Sequence, residues 1–354
     1  MKRRTFLGTG ITVAAGGATL AAGSGEAQLQ ERLPAATASG SRKNPLPHNP
    51  RTAAAMPMRN LGLTGYRVGQ LSLGGQATLE IPGKEDESIA IINRAIDLGV
   101  NYIDSAASYG QGASEQHLGL VMKSRRKEVF LTSKTHDRSY DGSMRLMEKT
   151  LGHMKTDHLD LWQIHNLQRQ DQLDEIFASN GAIKAMEKAR DEGMASFLGV
   201  TGHYEPNILL EAIRRFPFDT ILMAVNAADR HYLSFIEHLL PLAIEKRLGV
   251  VGMKVVTRSR MLSTWTPPPA AEQPERLRTA KPGTLTINEA LAYNLTLPVS
   301  TNIIGVDNVK QIEDNVAFAA TFTPLNETQM RDLEKRTLPI ARQALYFRRW
   351  DLGA

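Results

Sequence analysis

From Met58 onward, short apolar runs alternate with longer stretches in which apolar positions recur every three or four residues. The short runs are QLSLG, VNYID, VFLTS, LDLWQI, SFLGVT, TILMAV, GVVGMK and TNIIGV. Each is rich in Val, Ile, Leu and aromatic residues and is too short for a helix, so each predicts a strand. Between them, ESIAIINRAIDLG, SEQHLGLVMK, AIKAMEKARDEG, PNILLEAIRRF, INEALAYNL and VKQIEDNVAFAA carry the helical period. Ahead of the first strand, MRNLGLTGYRVG sets a Thr64-Gly65 turn between two short apolar runs, the pattern of a β-hairpin. Eight strands alternating with helices in about 300 residues predict an α/β protein, a (β/α)8 TIM barrel with an N-terminal β-hairpin cap.

Upstream the texture differs. KRRTFLG, with paired Arg3 and Arg4 followed by Phe6 and Leu7, precedes a Gly/Ala-rich apolar run to Ala22. This is the layout of a twin-arginine export signal, with a small-residue cleavage site at GEA before Gln28. The run is short for a bilayer and broken by glycines, so stable membrane insertion is not expected. Residues 28–56 are rich in Ala, Pro, Ser and Arg without periodicity, a flexible linker or an arm lying on the surface. The domains expected are a signal peptide at 1–27, the linker at 28–56 and the barrel at 57–354, in a protein delivered by the export machinery to the periplasm.

Charge changes the picture once it is located. The net charge is +5 over 354 residues, but residues 1–57, with seven Lys/Arg and two Glu, carry all of it. The neutral remainder has no basic excess to grip a phosphate backbone, which argues against a nucleic-acid partner. The absence of cysteine excludes disulfides, thiolate nucleophiles and cysteine-bound metals. No zinc or phosphate-loop signature is present, and no His/Asp cluster recurs on alternate strands, so no metal is expected.

The candidate chemistry sits where a barrel presents it, at the C-terminal ends of strands. Asp104, Lys134 and His165 end the second, third and fourth predicted strands, and Tyr109 follows Asp104 by five residues. A phenol has an ordinary pKa near about 10 and donates poorly at neutral pH. A neighbouring ammonium is expected to lower that value, and a carboxylate behind the ammonium keeps it charged and in place.

NYIDSAASYGQGASEQHLG, the SK at 133–134 and the IH at 164–165 resemble the aldo-keto reductase family, over roughly residues 57 to 335. The resemblance implies that Tyr109 is the general acid, Lys134 tunes it, Asp104 supports Lys134 and His165 orients a carbonyl substrate. It implies hydride from a reduced nicotinamide cofactor, NADP or NAD, across the barrel mouth. Implied cofactor contacts are Gly75, Thr201, Asn226, Lys254, Gly305, Asp307, Gln311, Asp314 and Asn315. IIGVDNVKQIEDNVAFA looks like the adenosine-phosphate segment, with a helix N-terminus as anion site. Several positions depart from the family pattern. Gly305, Val306 and Gln311 stand where a basic or hydroxyl group often meets the 2′-phosphate, and Lys310 is a candidate to compensate. Thr201-Gly202 replaces a Ser-Asn pair, Leu222 a Gln, and Val225 the aromatic that stacks on the nicotinamide. GVTGHY and GVVGMK look like a bacterial subgroup sharing these changes. His203 is either a hydrogen-bonding support or a substrate contact, and Trp265 and Trp350 are further substrate candidates. The long 257–282 segment resembles a clamp over the cofactor pyrophosphate.

The function expected is an exported nicotinamide-dependent oxidoreductase, an aldo-keto reductase-type enzyme interconverting carbonyl and alcohol on a small molecule such as a sugar or sugar-derived aldehyde or ketone. An export route that carries folded proteins suits a cofactor loaded beforehand and retained. The alternative is a dinucleotide-binding redox sensor or regulatory subunit with little turnover.

Overall fold

The computed structural model describes residues 43–273 and 280–350. The expected signal at 1–27 and the expected linker as far as residue 42 lie outside the described residues. Residues 43–56 lie against the barrel and include a short helix, Thr52–Ala55. The His48 amide bonds to Lys127 O, the Asn49 side chain donates to Ile96 O and Val100 O, and Met56 is buried.

The eight predicted strands form one closed barrel. They are β3 (Leu71–Gly74), β4 (Tyr102–Asp104), β5 (Phe130–Thr135), β6 (Leu159–Ile164), β7 (Ala195–Gly202), β8 (Thr220–Ala224), β9 (Gly249–Met253) and β10 (Thr301–Ile304). Neighbours in sequence are neighbours in space, all parallel, and β10 closes on β3. Every residue of β5 and β6 is buried. Parallel strands covered outside by helices and filled inside by side chains read as continuous rather than alternating apolar runs, because both faces leave water.

The hairpin forms as predicted, β1 (Met58–Asn60) against β2 (Arg67–Gly69), antiparallel. It plugs the end of the barrel where strands begin. Tyr66 Oη donates to Asn101 O just before β4, and Arg59 donates to Leu297 O and Val299 O just before β10. Gly62 has φ +55°, and a Cβ there would lie 2.2 Å from Gly249 N at the start of β9. Only glycine fits that approach. The opposite end is left free for chemistry.

All six predicted helices are present, and further helices form at Tyr140–Met154, Gln170–Ile176, Phe235–His238, Leu240–Glu245, Glu327–Thr337 and Ala341–Ala344. Several are capped by sequence-local chemistry. Ser139 Oγ accepts from Gly142 N, and Thr286 with Glu289 makes a reciprocal capping box. No helix among the described residues is long and apolar enough to cross a membrane.

Candidate active site

Asp104 is the last residue of β4, Lys134 the fifth of β5, and His165 follows β6 directly. Tyr109 begins a short turn, Tyr109–Gly112, in which Gly110 and Gln111 have positive φ and bend the chain back over the rim. The strand ends thus deliver three of the side chains and a strained turn the fourth.

Lys134 and Asp104 are each 1% exposed and paired, with Nζ 2.5 Å from Oδ2. Nζ also donates to Ser105 O at 2.6 Å. Thr132 Oγ1 and Gln163 Nε2 donate to Asp104 Oδ1, so both carboxylate oxygens are engaged. Lys134 Nζ lies 4.9 Å from the centre of the Tyr109 ring. His165 meets Tyr109 edge-on, centroids 5.7 Å apart, and Ser108 Oγ lies 3.4 Å from His165 Nδ1.

One expected direction is reversed. Burial first, then Asp104 and Glu80, push the Tyr109 phenol well above its ordinary pKa, against a smaller pull from Arg258. The charge of Lys134 is largely spent on Asp104 at this distance, so desolvation wins. The hydroxyl therefore keeps its proton at neutral pH. Burial lowers Lys134, with Asp104 opposing, and burial followed by Lys134 lowers His165 well below the usual imidazole range. His165 is therefore neutral.

Two adjoining cavities form one trough over the barrel mouth. The first, about 450 Å³, is lined by Tyr109, Lys134, His165, Thr201, His203 and Phe347 among others. The second, about 300 Å³, runs over the ends of β3, β9 and β10 and is lined by Gly75, Thr257, Ser259, Gly305 and Asp307 among others. Gln76, Tyr109, Met253, Lys254 and Arg258 belong to both. Lys254 donates to Gln76 Oε1, and Arg258 pairs with Glu80 at 3.4 Å across the groove. The first residues of the 257–282 segment therefore overhang the second cavity. Farther along, Gln343 Nε2 ties Arg260 O and Lys281 O to the C-terminal tail, and 274–279 lie outside the described residues.

Other expected contacts are placed elsewhere. Asn226 is wholly buried, its amide donating to Lys254 O and accepting from Ala228 N, which leaves it a loop brace. Gln311 lies off the trough wall and clips Asp307, and the exposed Lys310 pairs with Asp314. Asn315 is buried in its helix and does not line the trough. Trp265 is off the wall beside Arg260. Trp350 stacks on Tyr232 at 4.1 Å, donates to Leu345 O and lines neither cavity. His203 does line the first cavity, edge-on to Phe347 at 5.2 Å, its pKa drawn down to about 3 by burial. Sequence reasoning missed Gln76, Asn166, Arg258 and Tyr346 on the wall, since each sits in a loop without periodicity.

The donor set of the second cavity suits an anionic dinucleotide. Thr257 Oγ1 is buried without a partner, beside Lys254 and Arg258, and Thr257, Arg258 and Ser259 all have positive φ. Among the described residues no group of three or more His, Asp or Glu is placed to hold a metal ion.

Known proteins share this arrangement of chain. The model of the aldo/keto reductase family matches residues 68–336. An uncharacterized oxidoreductase of Bacillus subtilis, YqkF, is 26% identical over 313 residues, 80% of this chain and 97% of its own. L-galactose dehydrogenase of Arabidopsis thaliana is 25% identical over 295 residues, 77% of this chain and 91% of its own. Among solved structures, the holo form of aldo-keto reductase AKR11C1 from Bacillus halodurans matches with TM-score 0.64 and 25% identity, over 79% of this chain and 96% of that one. An aldo-keto reductase of Klebsiella pneumoniae in complex with NADPH shares the fold, with TM-score 0.61 and 21% identity, over 82% and 95%. The match over most of the barrel, on the same closed sheet, makes this chain a member of the aldo/keto reductase family of oxidoreductases.

Proposed function

We propose that the chain is an exported carbonyl reductase and alcohol dehydrogenase using NADP(H), with Tyr109 as the proton-transferring group. The observation that carries this reading is the buried Lys134–Asp104 pair beside the Tyr109 ring, with His165 edge-on to that ring. A reduced nicotinamide, when bound, would supply hydride for the carbonyl carbon. Tyr109 gives its proton to the carbonyl oxygen as negative charge develops there. A buried ammonium near the ring stabilises the phenolate that remains, and Asp104 keeps that ammonium charged and fixed. His165, lacking charge, orients the carbonyl by hydrogen bonding without competing for the proton. The reverse direction requires the ionised phenol, which the raised pKa of Tyr109 disfavours.

Thr257, Lys254 and Arg258 would hold the dinucleotide's diphosphate in the second cavity, and Thr201 its carboxamide. The substrate class we favour is a sugar or sugar-derived aldehyde or ketone, in keeping with a relative that is an L-galactose dehydrogenase and with the polar wall of Asn166, Thr201 and His203. Arg3-Arg4 and the apolar run behind them support export to the periplasm with the dinucleotide already bound. Retention would confine the enzyme to redox-neutral cycles, one substrate oxidised as another is reduced.

The test is carbonyl reduction followed by loss of nicotinamide absorbance. Tyr109→Phe is expected to lower kcat by at least about a hundredfold with dinucleotide binding retained. Equal turnover in the variant rejects proton donation by Tyr109, and no turnover in the native protein favours a binding protein.

A further inference from the structure

Among the described residues, the deepest ion pair outside the catalytic group joins the C-terminal tail to the barrel mouth. Arg348 and Asp229 are both 0% exposed at the side chain and hydrogen-bonded to each other. Arg348 also donates to His203 O at 3.0 Å, one residue past β7, and to Ala224 O at 3.2 Å, the last residue of β8. Its guanidinium lies 3.9 Å over the Phe235 ring and 5.3 Å from that of Phe347. Asp229 is held in turn by Ser234 Oγ, Phe235 N and Ile236 N. One planar fork thus gathers two strand ends, the loop after β8 and the tail.

Burying two charges rarely adds net stability, since desolvation offsets their attraction. What such a pair supplies is one allowed position. The residues it places are those that wall the first cavity. Tyr346 and Phe347, immediately before Arg348, line it, and His203, whose carbonyl Arg348 holds, packs its ring on Phe347. Arg348 itself does not line the cavity.

We propose that Arg348, locked to Asp229, is a positioning residue that fixes the His203–Tyr346–Phe347 wall and thereby sets which carbonyl compounds bind. The proposal rests on the first cavity being the substrate end of the site. The group acts through the wall and not on the reacting atoms, so binding of larger substrates depends on it and the proton transfer does not.

The experiment compares wild type with Arg348→Met, Arg348→Lys and the double variant Arg348→Met/Asp229→Asn, which leaves no orphaned buried carboxylate. Kinetics with propanal and with an aromatic aldehyde are measured beside NADPH affinity by fluorescence. Arg348→Met and the double variant are expected to raise KM for the aromatic aldehyde by about tenfold or more. kcat for propanal and NADPH affinity stay within about twofold, since neither involves the displaced wall. Arg348→Lys recovers part of the KM. Unchanged KM for both aldehydes overturns the proposal, as does a proportional fall in every parameter. Hydrogen exchange at residues 203 and 344–347 reads the wall without turnover. Faster exchange in the double variant upholds the positioning role even where the native enzyme reduces no carbonyl, and equal exchange overturns it.

Discussion

Asp104→Asn removes the counter-charge of an ammonium that has no water to turn to. Both members of the pair are 1% exposed. Breaking such a pair costs about 3–5 kcal/mol if the survivor stays charged. Lys134 has an alternative, which is to shed its proton. Burial already holds its pKa below the ordinary value, and Asp104 is the foremost opposing influence. Without it, the folded variant favours the neutral amine, whereas lysine in the unfolded chain titrates near about 10.4. The sign follows from proton counts. Between the lowered folded pKa and the unfolded one, the unfolded state binds one more proton, so stability rises with pH and is lost as pH falls. The slope is about 1.4 kcal/mol per pH unit. From pH 7.5 to 9.5 this amounts to at most about 2.7 kcal/mol, or at most about 5–10 °C in melting temperature for a large domain. Thermal melts of Asp104→Asn and of Asp104→Asn/Lys134→Met across that range isolate the effect, because every other group titrates equally in both. The single variant should gain on the double with rising pH. Parallel curves would refute the claim that Asp104 is what keeps Lys134 charged.

Two further outcomes bear on the dinucleotide and on location. Lys254 is drawn down to about 8, by burial first and then by Arg258 and Lys134, so a phosphate placed beside it restores the ammonium and NADPH binding at pH 8 takes up a fraction of a proton. Calorimetry in buffers of different ionisation enthalpy reads that uptake, Lys254→Met should abolish it, and its absence from the native protein would remove Lys254 from the phosphate site. For export, the periplasmic fraction should hold the native protein and lose it in Arg3→Lys/Arg4→Lys; equal distribution of the two would reject the twin-arginine reading.

Much of this was legible without coordinates, for a physical reason. Strand and helix periods are local, and a chain alternating them eight times has few ways to bury both kinds of element other than a closed barrel. Once the strands are located, their ends are located, and Asp104, Lys134 and His165 fall at one rim whatever the details of packing.

What only the tertiary structure decided are properties of distance and dryness. Charge on Lys134 was expected to acidify Tyr109, but Asp104 lies closer to that charge and burial outweighs the remainder, so the phenol moves the other way. Trp350 carries the aromatic surface expected of a substrate contact, yet Tyr232 faces it and the wall falls to Tyr346 and Phe347. Arg348 is an unremarked cation in a short tail until Asp229, more than a hundred residues earlier, arrives beside it in a space without water. Sequence fixes which groups a chain owns and the period on which they recur. Desolvation and long-range pairing, which set what those groups do, exist only after the chain has closed on itself.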